Sequence, residues 1–270
     1  MSASETVSSA GGKTYGTDTH LVASRADAVL RYADHARGFA ELRLPTGTGP
    51  FPLAVIFHGG CFKTGIADQA YMAPLATRWQ QQGIATLNVD YREVGDGGGW
   101  PGSFEDWSAA ARLIDAVSAR YPVDREQVTL VGHSAGALPA LWLATPQGPD
   151  GPVGARAAIA ARAAIVLDGP ADLETEAEAF DALCQFSSVA PFAGNGDLAK
   201  VRPAPRLREI LFVPAKLPVP PASALALAGS GGARVEVVSS PGKDHFSVIT
   251  PGAADYAAVE GAMLRVLQAR

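Results

Sequence analysis

Short apolar runs of strand length alternate with longer amphipathic stretches along most of this chain, and no other feature constrains the fold as strongly. Leu53 to Phe57, Ile84 to Val89, Gln127 to Val131, Ala163 to Leu167, Ile210 to Val213 and Val235 to Val238 each read as a strand. Leu53-Ala-Val-Ile-Phe57 is apolar throughout and ends at a glycine pair, as a strand buried on both faces does. Phe39 to Leu44 alternates apolar and polar residues, which suits a half-buried outer strand. Between these runs the pattern predicts helices over Tyr71–Gln81, Ser103–Arg120, Ala135–Leu143, Leu173–Cys184 and Ala253–Ala269, with Ser103 as a cap. Strands alternating with helices give an α/β fold: a mostly parallel, doubly wound sheet flanked by helices. The expected organisation is an N-terminal polar segment over 1–38, loosely ordered at its start, and one domain over 39–270 without a large cap. In such sheets reactive groups collect beyond the carboxyl ends of the strands.

Composition narrows the function classes. Hydrophobic residues make up 47% and charged residues 18%, enough apolar material for a core and against disorder. The net charge of −5 and scattered Lys/Arg exclude a nucleic-acid footprint. The longest Ala-rich stretch, Val153 to Leu167, is interrupted by Arg156 and Arg162, so no membrane partner is expected. The first twenty residues lack a basic region followed by an apolar one, and a cytoplasmic location is the default expectation. Two cysteines, Cys61 and Cys184, make no disulfide framework, and both read as buried, inert thiols. No HExxH, paired CxxC or carboxylate cluster points to a metal, and no GxGxxG follows a strand, so no cofactor is expected. A small molecule is the expected partner, with a homodimer left open.

Two motifs carry chemistry. Gly132-His-Ser-Ala-Gly136 lies between the strand ending at Val131 and the helix starting at Ala135. A strand-to-helix turn this tight exposes the Ser134 hydroxyl at a strand end, with a helix N-terminus behind it that favours developing negative charge. His58-Gly-Gly-Cys61 directly follows the strand ending at Phe57. Main-chain N–H groups on such a side-chain-poor loop can approach an oxyanion closely. The amides of Gly60, Cys61 and Ala135 are the candidate oxyanion hole, and His58 is a loop-orienting residue. Of five histidines, His20 and His35 precede the core sheet, His58 belongs to the loop, and His133 is fixed beside the serine. His245, between the last strand and the last helix, is left as the base that takes the Ser134 proton.

With these residues in place the chain resembles the α/β-hydrolase fold family from about Phe39 to its end. Within it, His58-Gly-Gly-Cys-Phe, Gly132-His-Ser-Ala-Gly and the Gly97–Trp107 stretch are similar to HGG-loop esterases and to the kynurenine formamidase group. The resemblance implies a serine esterase with the triad order Ser, acid, His. Such relatives place an Asp after the penultimate strand, but no Asp or Glu occurs here between Glu209 and Glu236. Some lipases of this fold carry the acid one strand earlier, where this chain has Asp168. Asp172 is the runner-up, and Asp244 is poorly placed beside His245 in sequence. A Ser–His dyad is the remaining explanation.

The expected function is hydrolysis of small carboxylic esters through an acyl-enzyme on Ser134, with His245 as base and Asp168 as acid. Two alternatives stay open: an arylformamidase-type amide hydrolase, and a degenerate hydrolase scaffold without the usual acid. Trp100, Trp107 and Phe186 are candidates for lining the cleft.

Overall fold

The apolar runs pair into one eight-stranded sheet in a computed structural model that describes residues 21–269. In chain order the strands are β1 Ala28–Arg31, β2 Phe39–Arg43, β3 Phe51–Phe57, β4 Ala85–Val89, β5 Val123–His133, β6 Ala163–Leu167, β7 Glu209–Val213 and β8 Arg234–Val237. They lie side by side in the order β1-β2-β4-β3-β5-β6-β7-β8. β1, β2 and β4 pair antiparallel, and every pairing from β4 to β8 is parallel. The helices are α1 Ala73–Gln81, α2 Gly102–Ala111, α3 Leu113–Arg120, α4 Ala137–Leu143, α5 Leu173–Cys184, α6 Val189–Ala193, α7 Ala222–Gly229 and α8 Ala254–Gln268.

The absence of alternation in the central strands has its cause in two cores. Side chains of a strand point alternately to opposite faces. Val55, Leu130, Val166 and Phe212 therefore join Trp107, Trp142 and Phe104 on one side. Ala54, Ile56, Val131, Ile165 and Leu211 join Trp79, Tyr256 and Met263 on the other. α2 and α4 contribute the first set of aromatic rings, and α1 and α8 cover the second face. Each fully buried side chain of this size contributes about 1.5–3 kcal/mol relative to leaving it in water.

Three expectations need correction. The sheet begins at Ala28, inside the segment expected to precede the domain, because β1 pairs with β2 from Ala28↔Leu42 to Arg31↔Phe39. Four residues of half-exposed edge strand carry too little alternation to stand out in sequence. The stretch Ser103–Arg120 is two helices, α2 and α3, parted at Arg112, whose N–H turns back to the Ala109 carbonyl at 3.2 Å. Ser103 does not cap. Pro101 precedes the helix, and the Ser103 hydroxyl accepts from Gly99 N–H at 2.8 Å and donates to the Arg92 carbonyl at 2.7 Å. The first twenty residues, expected to be loosely ordered, lie outside the described residues.

Candidate active site

The parallel strands deliver their carboxyl ends to one edge, and the residues singled out in the sequence arrive there with them. β5 ends at His133, and a 3-10 turn Ser134–Gly136 leads into α4. Ser134 has φ +55°, left-handed backbone that a non-glycine residue holds at a cost of about 1–3 kcal/mol when its surroundings enforce it. They do so through Gly132: a Cβ there would stand 1.9 Å from the Gly136 carbonyl oxygen, so only glycine lets the turn close. Ser134 and His245 line one cavity of about 240 Å³, together with Gly60, Cys61, Tyr71 and Phe246.

Asp168 follows β6, again with left-handed backbone at φ +44°. Its carboxylate meets His245 Nδ1 at 2.6 Å. The same carboxylate accepts the N–H groups of Ala215, Lys216 and Leu217 at 2.7, 3.0 and 3.0 Å. Burial pushes this carboxyl up, but the His245 hydrogen bond and charge and the main-chain donors outweigh burial and hold it below the usual carboxylate range. The segment that lacks an acid after β7 thus supplies amides to an acid placed one strand earlier. Asp172 caps α5, accepting from Glu174 N–H at 3.1 Å, and pairs with Arg202 at 3.0 Å. Asp244 caps the turn after it, accepting from Phe246 and Ser247 N–H, both at 2.8 Å. Neither runner-up is the carboxylate bonded to the His245 ring.

The loop from His58 to Cys61, the candidate oxyanion loop, is fixed from behind. His58 is fully buried, stacks on Tyr91 with ring centroids 4.2 Å apart, and its Nε2 lies 3.1 Å from Asp90 Oδ1. Tyr91 donates its hydroxyl to the His58 carbonyl at 2.6 Å. Gly59 sits so close to the elbow that a Cβ there would stand 2.7 Å from Ser134 Cβ. Gly60 and Cys61 face the cavity, while the Ala135 side chain is fully buried behind Ser134.

Other expectations fare differently. Cys61 and Cys184 are not inert, buried thiols: they form a disulfide across 123 residues of sequence, half-buried at the cavity wall. Their distance in sequence hid this, since the contact is made only when the end of α5 meets the loop after β3. Phe186 lines the cavity as expected. Trp107 does not: it is fully buried in the core, 4.7 Å from Phe104 between ring centroids, because α2 turns it inward. Trp100 packs on Phe104, with ring centroids 5.3 Å apart, and is not a cavity residue. Sequence reasoning missed Tyr71, which reaches the site from a 3-10 turn Gln69–Met72, a place with no motif to mark it.

The strand order, the crossovers and the helices on both faces define an α/β-hydrolase. The chain belongs to the BD-FAE family, whose model matches residues 41–204, more than half of its length. Among solved structures it is similar to Thermogutta terrifontis esterase 2 phosphoramylated by tabun, with a TM-score of 0.68 at 17% identity, covering 89% of this chain and 94% of that one. The butyrate-bound esterase 2 from the same organism gives a TM-score of 0.63 at 17% identity, over 89% and 93% of the two chains. A truncated carbohydrate esterase from gut microbiota gives 0.66 at 17% identity, over 92% and 99%. A neuroligin-like protein, glit-1, of Caenorhabditis elegans is 32% identical over 94 residues, which is 32% of this chain and 12% of that much longer protein. Among the described residues no helix is long and apolar enough to cross a membrane.

Proposed function

We propose that the chain is a serine hydrolase that cleaves small carboxylic esters through an acyl-enzyme on Ser134. The observation that carries this reading is the Asp168–His245 hydrogen bond of 2.6 Å at the wall of the cavity that Ser134 also lines. With Nδ1 held by Asp168, the imidazole keeps Nε2 free to take the Ser134 proton as the hydroxyl attacks the ester carbonyl. The carbonyl oxygen gains negative charge, and the amides of Gly60, Cys61 and Ala135 are its assigned donors. His245 returns the proton to the leaving alkoxide. Water, deprotonated by the same imidazole, then releases the acid and restores Ser134. Asp168 stays ionised throughout and offsets the positive charge on His245.

The cavity of about 240 Å³, walled by Ile66, Ala67, Leu183 and Phe186, favours a short or compact apolar acyl group. Thermogutta esterase 2 was solved with butyrate and with propionate bound, and that chemistry is in keeping with this size. The missing acid after Phe212 favours a degenerate scaffold, whereas the Asp168 carboxylate on the His245 ring supports a working triad. The Cys61–Cys184 bond belongs to oxidising surroundings, so it points away from the cytoplasmic placement expected from the sequence.

The test is labelling by a fluorophosphonate probe together with hydrolysis of p-nitrophenyl acetate and butyrate, with N-formylkynurenine alongside. Wild type is expected to be labelled and to turn over the esters faster than the formamide, and Ser134→Ala to lose both labelling and turnover. Labelling that persists in Ser134→Ala, or a preference for the formamide, overturns the ester reading.

A further inference from the structure

Behind the cavity a chain of hydrogen bonds joins the oxyanion loop to the loop of the base. Gly59 N–H bonds to the Tyr71 hydroxyl. The Tyr71 hydroxyl lies 2.8 Å from His133 Nδ1, and His133 Nε2 lies 2.9 Å from the main-chain carbonyl of His245. The ends of this chain fix every proton within it. An amide can only donate, so the Tyr71 oxygen accepts from Gly59 and its single hydrogen goes to the imidazole. A carbonyl can only accept, so His133 carries its proton on Nε2 and presents a bare Nδ1 to Tyr71. One tautomer satisfies the whole series.

We propose that Tyr71 and His133 form a positioning pair that sets the distance between the oxyanion donors and His245, independently of the Asp168 contact. The kinetic part of this inference rests on the hydrolase reading above; the hydrogen-bond network does not. Tyr71 comes from the turn before α1, His133 from the end of β5, and the His245 carbonyl from the loop after β8, so three separate segments are tied at one point. The hydroxyl hydrogen of Tyr71 is committed to His133 and is not a donor to substrate, although Tyr71 borders the cavity.

The electrostatics support this role. His133 is fully buried, and burial first, then the nearby His245, lower its pKa to about 3, with Asp168 and the His245 carbonyl opposing. It is therefore neutral wherever a His245 base would be active. The two imidazoles have ring centroids 4.5 Å apart. A charged His133 would oppose the imidazolium that forms on His245 during proton transfer, and a neutral one does not.

The pair is tested by kinetics and by nitrogen NMR on the full chain. Tyr71→Phe keeps the ring and removes the hydroxyl. It is expected to lower kcat by about 10- to 100-fold through misplacement of the reacting groups, with KM for p-nitrophenyl butyrate within threefold of wild type. His133→Gln is expected to fall in kcat likewise, and the double variant to be no slower than the slower single one, since both break the same series. In wild type labelled with ¹⁵N-histidine, one buried ring is expected to show the neutral Nε2–H pattern unchanged from pH 5 to 9. A kcat within twofold of wild type for Tyr71→Phe, or single effects that multiply in the double variant, would overturn the proposal. An Nδ1–H pattern for His133, or its titration near neutrality, would overturn it as well. If wild type hydrolyses no ester, the hydrolase reading fails by itself, and the tautomer measurement alone decides the network.

Discussion

Asp168 and His245 lie 77 residues apart in sequence and meet at 2.6 Å, and three consecutive amides, Ala215, Lys216 and Leu217, hold the carboxylate that makes the contact. The carboxylate on the His245 ring thus comes from the end of β6, and the segment after β7 supplies its amide donors. Asp168→Asn places an amide where the carboxylate was and disturbs the tautomer of His245. Its kcat is expected to fall by about 10³–10⁴ with the fold intact. Asp172→Asn and Asp244→Asn, which alter caps, are expected to change kcat by less than about fivefold. Steady-state hydrolysis of p-nitrophenyl butyrate by the three variants separates them.

The close approach of Gly59 to the elbow gives a second expectation. A methyl group there meets Ser134 Cβ at 2.7 Å and the His133 carbonyl oxygen at 3.0 Å. Neither is a flexible side-chain end, so the loop has to shift. Gly59→Ala is expected to lose about 100-fold in kcat/KM because oxyanion donors and nucleophile separate. Gly65→Ala is the comparison: its Cβ meets nothing within 4 Å, and the φ of +80° there adds only backbone strain. Its effect is expected on melting temperature more than on turnover.

The disulfide closes a loop of 123 residues between the glycine loop after β3 and the end of α5. Tethering so long a loop in the unfolded chain stabilises the fold by about 2–4 kcal/mol. Cys184→Ser is therefore expected to lower the unfolding free energy by about that amount in urea titration. Because Cys61 also borders the cavity, the reduced wild-type enzyme is expected to lose turnover before it unfolds, as seen by running activity and circular dichroism on the same sample.

Stability is expected to depend on pH through His133. Its pKa falls from 6.5 to about 3 on folding, so between those values the unfolded chain binds a proton that the native chain does not. Stability from this group is complete above pH 6.5 and declines as the pH falls toward 3, by about 1.4 kcal/mol per unit at most. Asp168, held below its ordinary range, adds stability above its unfolded value that is lost as the pH falls through its folded one. Urea denaturation from pH 7 to 4 should show the slope, and His133→Gln should reduce it by about one proton.

Strand existence, the tight turn at Ser134 and the glycine loop after β3 were legible in sequence because each is a local pattern. Apolar runs such as Ala163–Leu167 need burial on both faces, and Gly132 with Gly136 permits a turn that other residues block. His245 was reached by elimination among five histidines, and Asp168 through the resemblance to lipases that carry the acid one strand earlier. Asp168, Asp172 and Asp244 all remained open to the sequence, because nothing in the chain's order states which carboxylate reaches across a sheet. The pairing of β6 with β7 decided it by bringing Asp168 beside the Ala215–Leu217 amides. The same holds for Cys61 with Cys184, for Tyr71 with His133, and for Trp107, whose helix turned it into the core. Local sequence set which backbone shapes were allowed. Only the packing of distant segments set which side chains meet, because contact between them depends on the sheet order and not on their separation along the chain.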